Sequence, residues 1–473
     1  MKNRKYTLCI VIVLISLIMC VGYITGHYST DDYHIMNVGY KEYSINNNLI
    51  EGRPIMFLID QLFLKLNISY DAFIIITVVI AILLTDLNVL LVYKLVNDKY
   101  TNKNKLLLFT LLFSTIFNFM YIENLYFVES IVMALSLVLY TLSCKYFFRD
   151  GKWNKLIALL FNILATMSYN GFECYYIILI AFISLLNYKK INKNVLFNIL
   201  KAGLLIIISV LLNYLQISIC CSIFNLNNSR ISSFSLLYNI FTIIIMLPYF
   251  LIITSRLFPK YLFIICLFLV LGFSFIYNKK HEMNNLFREN IFLSFVCIMS
   301  CFCINIISLS SIGTGRLSYG IGMTIGILLL YIFFNINDKK TFYKIFLIFS
   351  VFWIGFNILN YFNQTLLSKN NNVKEKEEAL KLDKMLKKYE FENNIKVNKV
   401  AFVFYLEMRK DSVINTNAIR TEWSSQGAIE FYTKRDMEKI NLSPKEMEKY
   451  NKELEDKVYF IDNDMLVIKM YDW

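Results

Sequence analysis

The sequence predicts a polytopic α-helical membrane protein that ends in a small soluble α/β domain. Hydrophobic residues make up 57% of the 473 residues and charged residues only 18%, which is too apolar for a soluble globule of this length. Apolar runs long enough to cross a bilayer recur as far as Leu359, and from Tyr361 onward the composition turns abruptly polar. We therefore expect a transmembrane domain over residues 1–360 and a second domain over residues 361–473.

Basic residues in short loops set the expected orientation of the spans. Lys2, Arg4 and Lys5 precede the first apolar run, residues 6–24, which lacks a convincing cleavage site. We expect an uncleaved span that enters from the cytoplasm, and Lys-rich turns after later runs mark the cytoplasmic side again. The next spans are expected at about 72–95, 106–121, 128–147, 156–168, 175–186 and 204–221.

The middle of the chain breaks this alternation. Apolar runs at 236–254 and 261–277 are separated only by SRLFPK, and the basic stretch after them favours the cytoplasmic side, so both cannot be full spans. We expect the run that contains Pro248 to be re-entrant or interfacial. The remaining spans are expected at about 291–309, 321–334 and 342–359, which gives about eleven transmembrane helices, an N-terminus in the cytoplasm and a C-terminus outside it.

The sequence of the C-terminal segment predicts a separate α/β unit. KEKEEALKLDKMLKKYEFE places apolar residues at helical spacing, whereas KVAFVFYLE, KVYFID and MLVIKMYDW are typical of strands. With about 110 residues, the unit is large enough to bury a modest core of its own. It is expected on the extracytoplasmic side.

The polar loop after the first span, residues 27–71, carries the leading candidate site. It presents Asp31, Asp32, His34 and Arg53 at the membrane surface, whereas ordinary connections between spans are short. Two adjacent carboxylates beside an apolar phase push one pKa upward, as a general base requires. We therefore expect catalysis in this loop rather than a simple spacer.

Arginines in outer loops are the candidates for binding an anion. Arg316 lies in SSIGTGRLSYG, where an arginine outside runs against the usual inward bias of basic residues. A guanidinium suits bidentate contact with phosphate. Arg230 is a weaker third choice after Arg53 and Arg316.

Further candidates for substrate binding lie in two outer turns. Glu173 is flanked by Tyr169 and Asn170, which supply the aromatic and amide groups that bind sugar faces and hydroxyls. Glu123 lies in an earlier outer turn. Taken alone, each carboxylate is better explained as a solvated loop residue.

Composition also excludes several classes of function. The net charge of +13 is explained by basic cytoplasmic loops in contact with the lipid bilayer, so no nucleic-acid partner is expected. All ten cysteines lie in or beside apolar segments, which implies neither disulfides nor a cysteine metal site. We expect no metal ion and no other cofactor.

The first loop resembles a known enzyme family. DDYH, followed by Val38-Gly39-Tyr40 and by EGRPI, is similar to the first-loop signature of the GtrII-type glucosyltransferases, a GT-C membrane family. The segment TMSYNGFECYY looks like that family's serine-tyrosine-polar turn. Two positions depart from the family pattern, which often has an arginine at the position of His34 and a glutamine at that of Asn170.

The resemblance implies a GT-C-like fold and a reaction. Such an enzyme transfers a hexosyl residue, here a glucosyl residue, from a polyprenyl-phosphate sugar to a cell-surface glycan or lipid-linked polysaccharide, with inversion at the anomeric carbon. It implies Asp32 and Asp31 as the catalytic pair, one acting as base, and the sequence leaves open which; we name Asp32 first. Arg53 and Arg316 would bind the donor phosphate, and the substrate would contact His34, Tyr169, Asn170, Glu173 and Glu123.

Two other classes share part of this description. A polysaccharide polymerase or flippase would also be polytopic and bind lipid phosphate, but a polymerase places its key arginines in large outer loops. A secondary transporter would show charges within its spans and paired repeats, whereas here Asp86 is the main intramembrane charge. These classes are the alternatives to the transferase.

Overall fold

The structure is a computed structural model. It describes residues 2–97, 104–225, 236–281, 285–302, 315–336, 340–403, 412, 414, 416–421, 423–453, 458–461 and 465–469. Arg230 and the end of the span expected at 291–309 lie outside these residues.

Helices dominate the first three quarters of the described chain. In order they are α1 Lys2–Met19, α2 Val21–Ile24, α3 Thr30–Val38, α4 Tyr40–Tyr43, α5 Pro54–Lys65, α6 Tyr70–Asn97, α7 Lys105–Ile116, α8 Tyr121–Tyr126, α9 Ser130–Phe147, α10 Lys152–Ser168, α11 Glu173–Tyr188, α12 Lys193–Phe224, α13 Leu236–Ile253, α14 Leu262–His281, α15 Leu286–Ser300, α16 Tyr319–Asn335 and α17 Lys340–Asn393. A π-helix, Ser44–Leu49, lies between α4 and α5.

Six helical segments among the described residues are long and apolar enough to cross a bilayer. They are Tyr70–Asn97, Ser130–Phe147, Asn170–Tyr188, Lys193–Phe224, Leu262–His281 and Thr341–Asn393. Shorter apolar helices cover Ile10–Met19, Lys105–Ile116, Asn239–Ile253 and Tyr319–Asn335. The chain is thus a helical membrane protein, as expected, whereas the count of eleven spans stays a prediction.

The Pro248 segment is the part of the chain where the expected alternation breaks. Pro248 lies inside α13, and the described apolar part of this helix belongs to the shorter group, whereas α14 has spanning length. The proposed re-entrant path of this segment stays a prediction.

Helix α16 forms the centre of the helix bundle. Every residue from Tyr319 to Phe334 is buried, and the helix packs on α7, α11 and α15. Two of its glycines permit close approach, because a Cβ at Gly322 would lie 1.9 Å from Asn118 and one at Gly326 2.2 Å from Thr115. Small residues serve the same purpose at helix interfaces in membranes generally.

Helix α17 continues across the domain boundary expected at residues 360/361. It runs without a break through 54 residues, a length of about 80 Å at 1.5 Å per residue. No Gly or Pro occurs between Phe356 and Asn393, and Lys and Glu are good helix formers, so the change from apolar to charged composition does not end the helix. The last span and the first helix of the second domain are one element.

The C-terminal unit is a mixed sheet packed on the end of α17. Its strands are β1 Lys399–Val403, β2 Glu438–Ile440, β3 Val458–Ile461 and β4 Met465–Lys469, in the order β2-β1-β4-β3. Strand β1 is parallel to β2 and β4, and β3 is antiparallel to β4. Three of the four strands coincide with the expected ones, and helices α18 Ser425–Thr433 and α19 Pro444–Glu453 complete the described unit.

The first loop is largely helical and joins the two parts of the protein. Tyr33 of α3 is fully buried in the C-terminal core, with Leu382 and Leu386 of α17 and Ile429 of α18. Ile35 packs instead into a second cluster with side chains of α5, α6 and α9. Helix α3 is therefore held between the helix bundle and the C-terminal unit.

Candidate functional site

The N-terminus of α3 is fixed by a capping box. The Ser29 hydroxyl accepts from the Asp32 backbone N–H at 3.2 Å, and the Asp32 carboxylate accepts from the Ser29 backbone N–H at 2.5 Å. This reciprocal pair satisfies two backbone donors that a helix end leaves open. The sequence Ser-Thr-Asp-Asp matches the capping-box pattern, so this structural role of the second aspartate could be predicted from the sequence.

Asp32 is fully buried, and both of its carboxylate oxygens accept hydrogen bonds. Oδ1 accepts from the Tyr70 hydroxyl at 2.7 Å, and Oδ2 accepts from Ser29. Burial raises the pKa of Asp32 to about 7, Glu129 adds to the rise, and the hydrogen bonds from Tyr70 and Ser29 oppose it. The pKa of one Asp of the pair is thus raised, but burial rather than its acidic neighbour is the main cause.

Asp31 has different surroundings from Asp32. Its side chain is only partly buried, and Oδ1 accepts from the indole N–H of Trp423 at 2.9 Å. Trp423 belongs to the C-terminal unit, just before α18. Among the described residues, no side chain or backbone group donates to the other carboxylate oxygen of Asp31, Oδ2.

His34 lies one turn along α3 from Asp31. It hydrogen-bonds the Trp423 backbone, and its ring lies 6.1 Å from that of Tyr43. Burial lowers the pKa of His34 and Lys439 acts in the same direction, whereas Asp31 and the bond to Trp423 oppose this. The imidazole therefore favours its neutral form near pH 7, in which one ring nitrogen can accept a hydrogen bond.

Arg53 is held between two carboxylates at the start of α5. It lies 3.3 Å from Glu51 and 3.4 Å from Glu129, and its side chain is 12% exposed. Burial alone would lower the pKa of Arg53, but the attraction of Glu51 and Glu129 outweighs burial and raises it. The guanidinium also lies 5.9 Å from the centre of the Tyr169 ring.

Arg316 lies on a short 3-10 turn, Gly315–Leu317, at the same end of the bundle. Its guanidinium stacks 4.7 Å from the centre of the Phe127 ring. Burial opposes its charge, but Tyr169, Glu123 and Asp31 attract it strongly enough to raise the pKa of Arg316. The structure thus brings Arg316 within electrostatic reach of Asp31.

Glu123 holds the turn that carries Arg316. Its Oε2 accepts from the Gly315 backbone N–H at 3.2 Å and from the hydroxyl of Ser412. A Cβ on Gly315 would lie only 2.8 Å from this oxygen, so glycine permits the contact. Glu123 therefore positions a backbone turn rather than projecting freely toward a substrate.

Tyr169 interacts with both arginines. Arg316 and Arg53 both act on its hydroxyl, which is buried and has no hydrogen-bond partner among the described residues. Burial nevertheless raises the pKa of Tyr169 to about 12, so the phenol stays protonated and can donate. We refer to Arg53, Tyr169 and Arg316 as the cationic cluster.

Asn170 and Glu173 behave differently from their neighbour Tyr169. Asn170 is exposed on a 3-10 turn, whereas Glu173 is 2% exposed at the start of α11. Neither carboxylate oxygen of Glu173 has a hydrogen-bond partner among the described residues, and its electrostatic neighbours include Tyr140 on α9. Glu173 is thus buried within electrostatic reach of both Tyr140 and Tyr169.

Three residues of this region were not named as site residues from the sequence. Glu129 pairs with Arg53 and accepts from the Tyr43 hydroxyl at 3.0 Å, Tyr70 binds Asp32, and Trp423 binds Asp31. Glu129 was visible as an outer-turn carboxylate, but Tyr70 and Trp423 gave no local signal. Trp423 lies 392 residues from Asp31, a separation that only the fold bridges.

The region combines two chemical functions. Asp31 offers a carboxylate oxygen to a proton, and the cationic cluster offers two guanidinium groups and a hydroxyl to an anion. Within the described residues no group of three His, Cys, Asp or Glu side chains could hold a metal ion.

Comparisons with protein-family models, with curated proteins and with solved structures give no match to this chain.

Proposed function

We propose that this protein is a GT-C-type membrane glycosyltransferase. It transfers a hexosyl residue, in the first instance glucosyl, from a polyprenyl-phosphate sugar to a glycan acceptor on the extracytoplasmic side. The observation that carries the proposal is that the partly buried carboxylate of Asp31 acts electrostatically on Arg316, in the same region where Arg53 lies 5.9 Å from the centre of the Tyr169 ring. A base beside a site for a leaving phosphate is what displacement of a lipid phosphate requires.

The reaction assigns a role to each group. The acceptor hydroxyl loses its proton to Oδ2 of Asp31 as its oxygen attacks the anomeric carbon. The bond from that carbon to the phosphate oxygen breaks, and the lipid phosphate leaves with the electron pair. Arg53 and Arg316 stabilise the charge on the phosphate, and the Tyr169 hydroxyl donates to it.

Asp32 supports this chemistry without taking the proton itself. Its two carboxylate oxygens bind Tyr70 and Ser29, and its side chain is fully buried, so an acceptor sugar has no access to it. By closing the capping box it fixes the turn from which Asp31 projects. We therefore assign the base to Asp31 and the positioning role to Asp32, which reverses the order in which the sequence led us to name them.

The assay is direct. Purified protein in lipid nanodiscs is incubated with polyprenyl-phosphate [14C]glucose and an isolated cell-surface glycan, and the label in the glycan is counted. We expect time-dependent transfer that needs no added divalent metal. The proposal would be contradicted if protein that shows a cooperative thermal unfolding transition, and is therefore folded, transfers no sugar from glucosyl, galactosyl or mannosyl lipid phosphates.

A further inference from the structure

One residue of the C-terminal unit contacts both polar side chains on the partly open face of α3. The Trp423 indole N–H donates to Oδ1 of Asp31 at 2.9 Å, and its backbone hydrogen-bonds His34. Asp31 and His34 are three residues apart, so they project from the same face of the helix. Trp423 thus fixes two groups of the candidate site at once.

Docking of the C-terminal unit does not depend on this contact. On another face of α3, the Tyr33 hydroxyl donates to Glu375 at 2.9 Å and lies 2.6 Å from that of Tyr432. Asn37, one turn beyond His34, donates to Glu430 at 2.5 Å. Other contacts therefore already hold α3 against the C-terminal unit, and the bond from Trp423 serves to orient the Asp31 carboxylate.

We propose that Trp423 is a positioning residue for the transfer reaction. Its N–H binds one oxygen of Asp31 and so directs the other toward the acceptor hydroxyl. A partly exposed carboxylate otherwise samples several rotamers, and holding it in the reactive one removes an entropic cost from the barrier. This inference rests on the proposed function and extends it, since the C-terminal unit then completes the catalytic site.

The test removes the N–H and keeps the ring. Trp423→Phe, and separately the isosteric analogue 3-benzothienylalanine at position 423, should lower kcat roughly tenfold or more, because a hydrogen bond to a charged group is lost. KM for the acceptor should change less than about twofold, since substrate contacts stay in place. Trp423→His, which restores an N–H donor, should recover part of kcat.

Asn37→Ala is the matched control. It breaks a contact across the same joint but leaves Asp31 untouched, so its kcat should equal that of the wild type. The inference is overturned if the benzothienyl protein retains the wild-type kcat, if Asn37→Ala loses as much activity, or if Trp423→His is no better than Trp423→Phe. The isosteric analogue decides the matter even if Trp423→Phe does not fold.

The transfer rates of the wild type and of Asp31→Asn in the same assay distinguish a failure of the positioning role from a failure of the proposed transferase function. An inactive wild type refutes the transferase and this inference with it. An active wild type, an inactive Asp31→Asn protein and a fully active Trp423 series would refute only the positioning role.

Discussion

Adjacent aspartates at the start of α3 show how far surroundings, rather than residue type, decide a role. Asp32 is enclosed and doubly hydrogen-bonded, whereas Asp31 is partly open and bonded through one oxygen. The pair could be predicted from the sequence, but the division of labour could not, because it depends on Tyr70 and Trp423.

Arg316 is the residue whose removal should most affect the leaving phosphate. Arg316→Ala should lower kcat roughly a hundredfold or more, because loss of one preorganised donor to a developing charge costs a few kcal/mol. Arg316→Lys should recover only part, since an ammonium cannot bind phosphate in a bidentate manner. The measurement is the initial rate of sugar transfer at saturating donor.

Arg149→Ala is a matched control for that experiment. Arg149 also stacks on an aromatic ring, 5.1 Å from the centre of Tyr146, but in the turn between α9 and α10, which is flanked by Lys145 and Lys152. Its replacement should leave the rate unchanged. Equal losses in the two variants would show that arginine–aromatic packing, rather than phosphate binding, explains the effect.

Asp32 should make stability depend on pH. Burial raises its pKa from 3.8 to about 7, so the folded protein binds this proton more tightly than the unfolded chain. Its contribution to the free energy of unfolding is therefore greatest below about pH 4 and is lost as the pH rises through about 7. A shift of this size corresponds to roughly 4 kcal/mol.

Comparison with Asp32→Asn isolates that contribution, because other groups, such as buried Asp60, titrate equally in both proteins. The unfolding midpoint of the variant minus that of the wild type should rise between about pH 4 and pH 7. A difference between the two midpoints that does not change with pH would contradict the buried, proton-binding state of Asp32.

At the scale of elements, the joint between α3 and α18 depends on a glycine. A Cβ at Gly427 would lie 2.0 Å from the Tyr33 carbonyl oxygen, so the two helices can approach this closely only without a side chain there. The helical content of the chain follows from local pattern, but this contact joins residues almost 400 positions apart. The boundary expected at residues 360/361 came from a change of composition, which does not end α17.

Gly427→Ala should therefore weaken the joint. Because the clash is with backbone, α18 must move, and we expect a loss of roughly 1–3 kcal/mol, typical of overpacking. Thermal unfolding and the rate of proteolysis within residues 412–453 measure the effect. Gly203→Ala on α12, where a Cβ meets nothing within 4 Å, is the control and should show neither change.

At the scale of the whole molecule, composition predicts the membrane class, and helical apolar runs predict most helices. Three of the four strands could also be predicted, because β1, β3 and β4 are apolar runs, whereas β2 has only three residues, Glu438–Ile440, and no such pattern. The number of spans depends on which helices reach across a bilayer, and sequence pattern alone does not decide that for α10, α13 and α15.

Contact between the first loop and the C-terminal unit gives a topological prediction. Both should lie outside the cytoplasm, so an impermeant maleimide should label Asn46→Cys and Lys434→Cys in intact cells. Lys189→Cys, in a Lys-rich turn, should react only after lysis. Labelling of Lys434→Cys only after lysis would overturn the assigned topology.

The central claim is that Asp31 takes the proton from the acceptor in a sugar transfer from polyprenyl phosphate. The most direct measurement is the rate of that transfer by Asp31→Asn, which keeps the size of the side chain and an oxygen for Trp423 but removes the base. We expect a loss of several orders of magnitude in kcat with an unchanged unfolding midpoint. A folded Asp31→Asn protein that retains most of the wild-type rate would contradict the account.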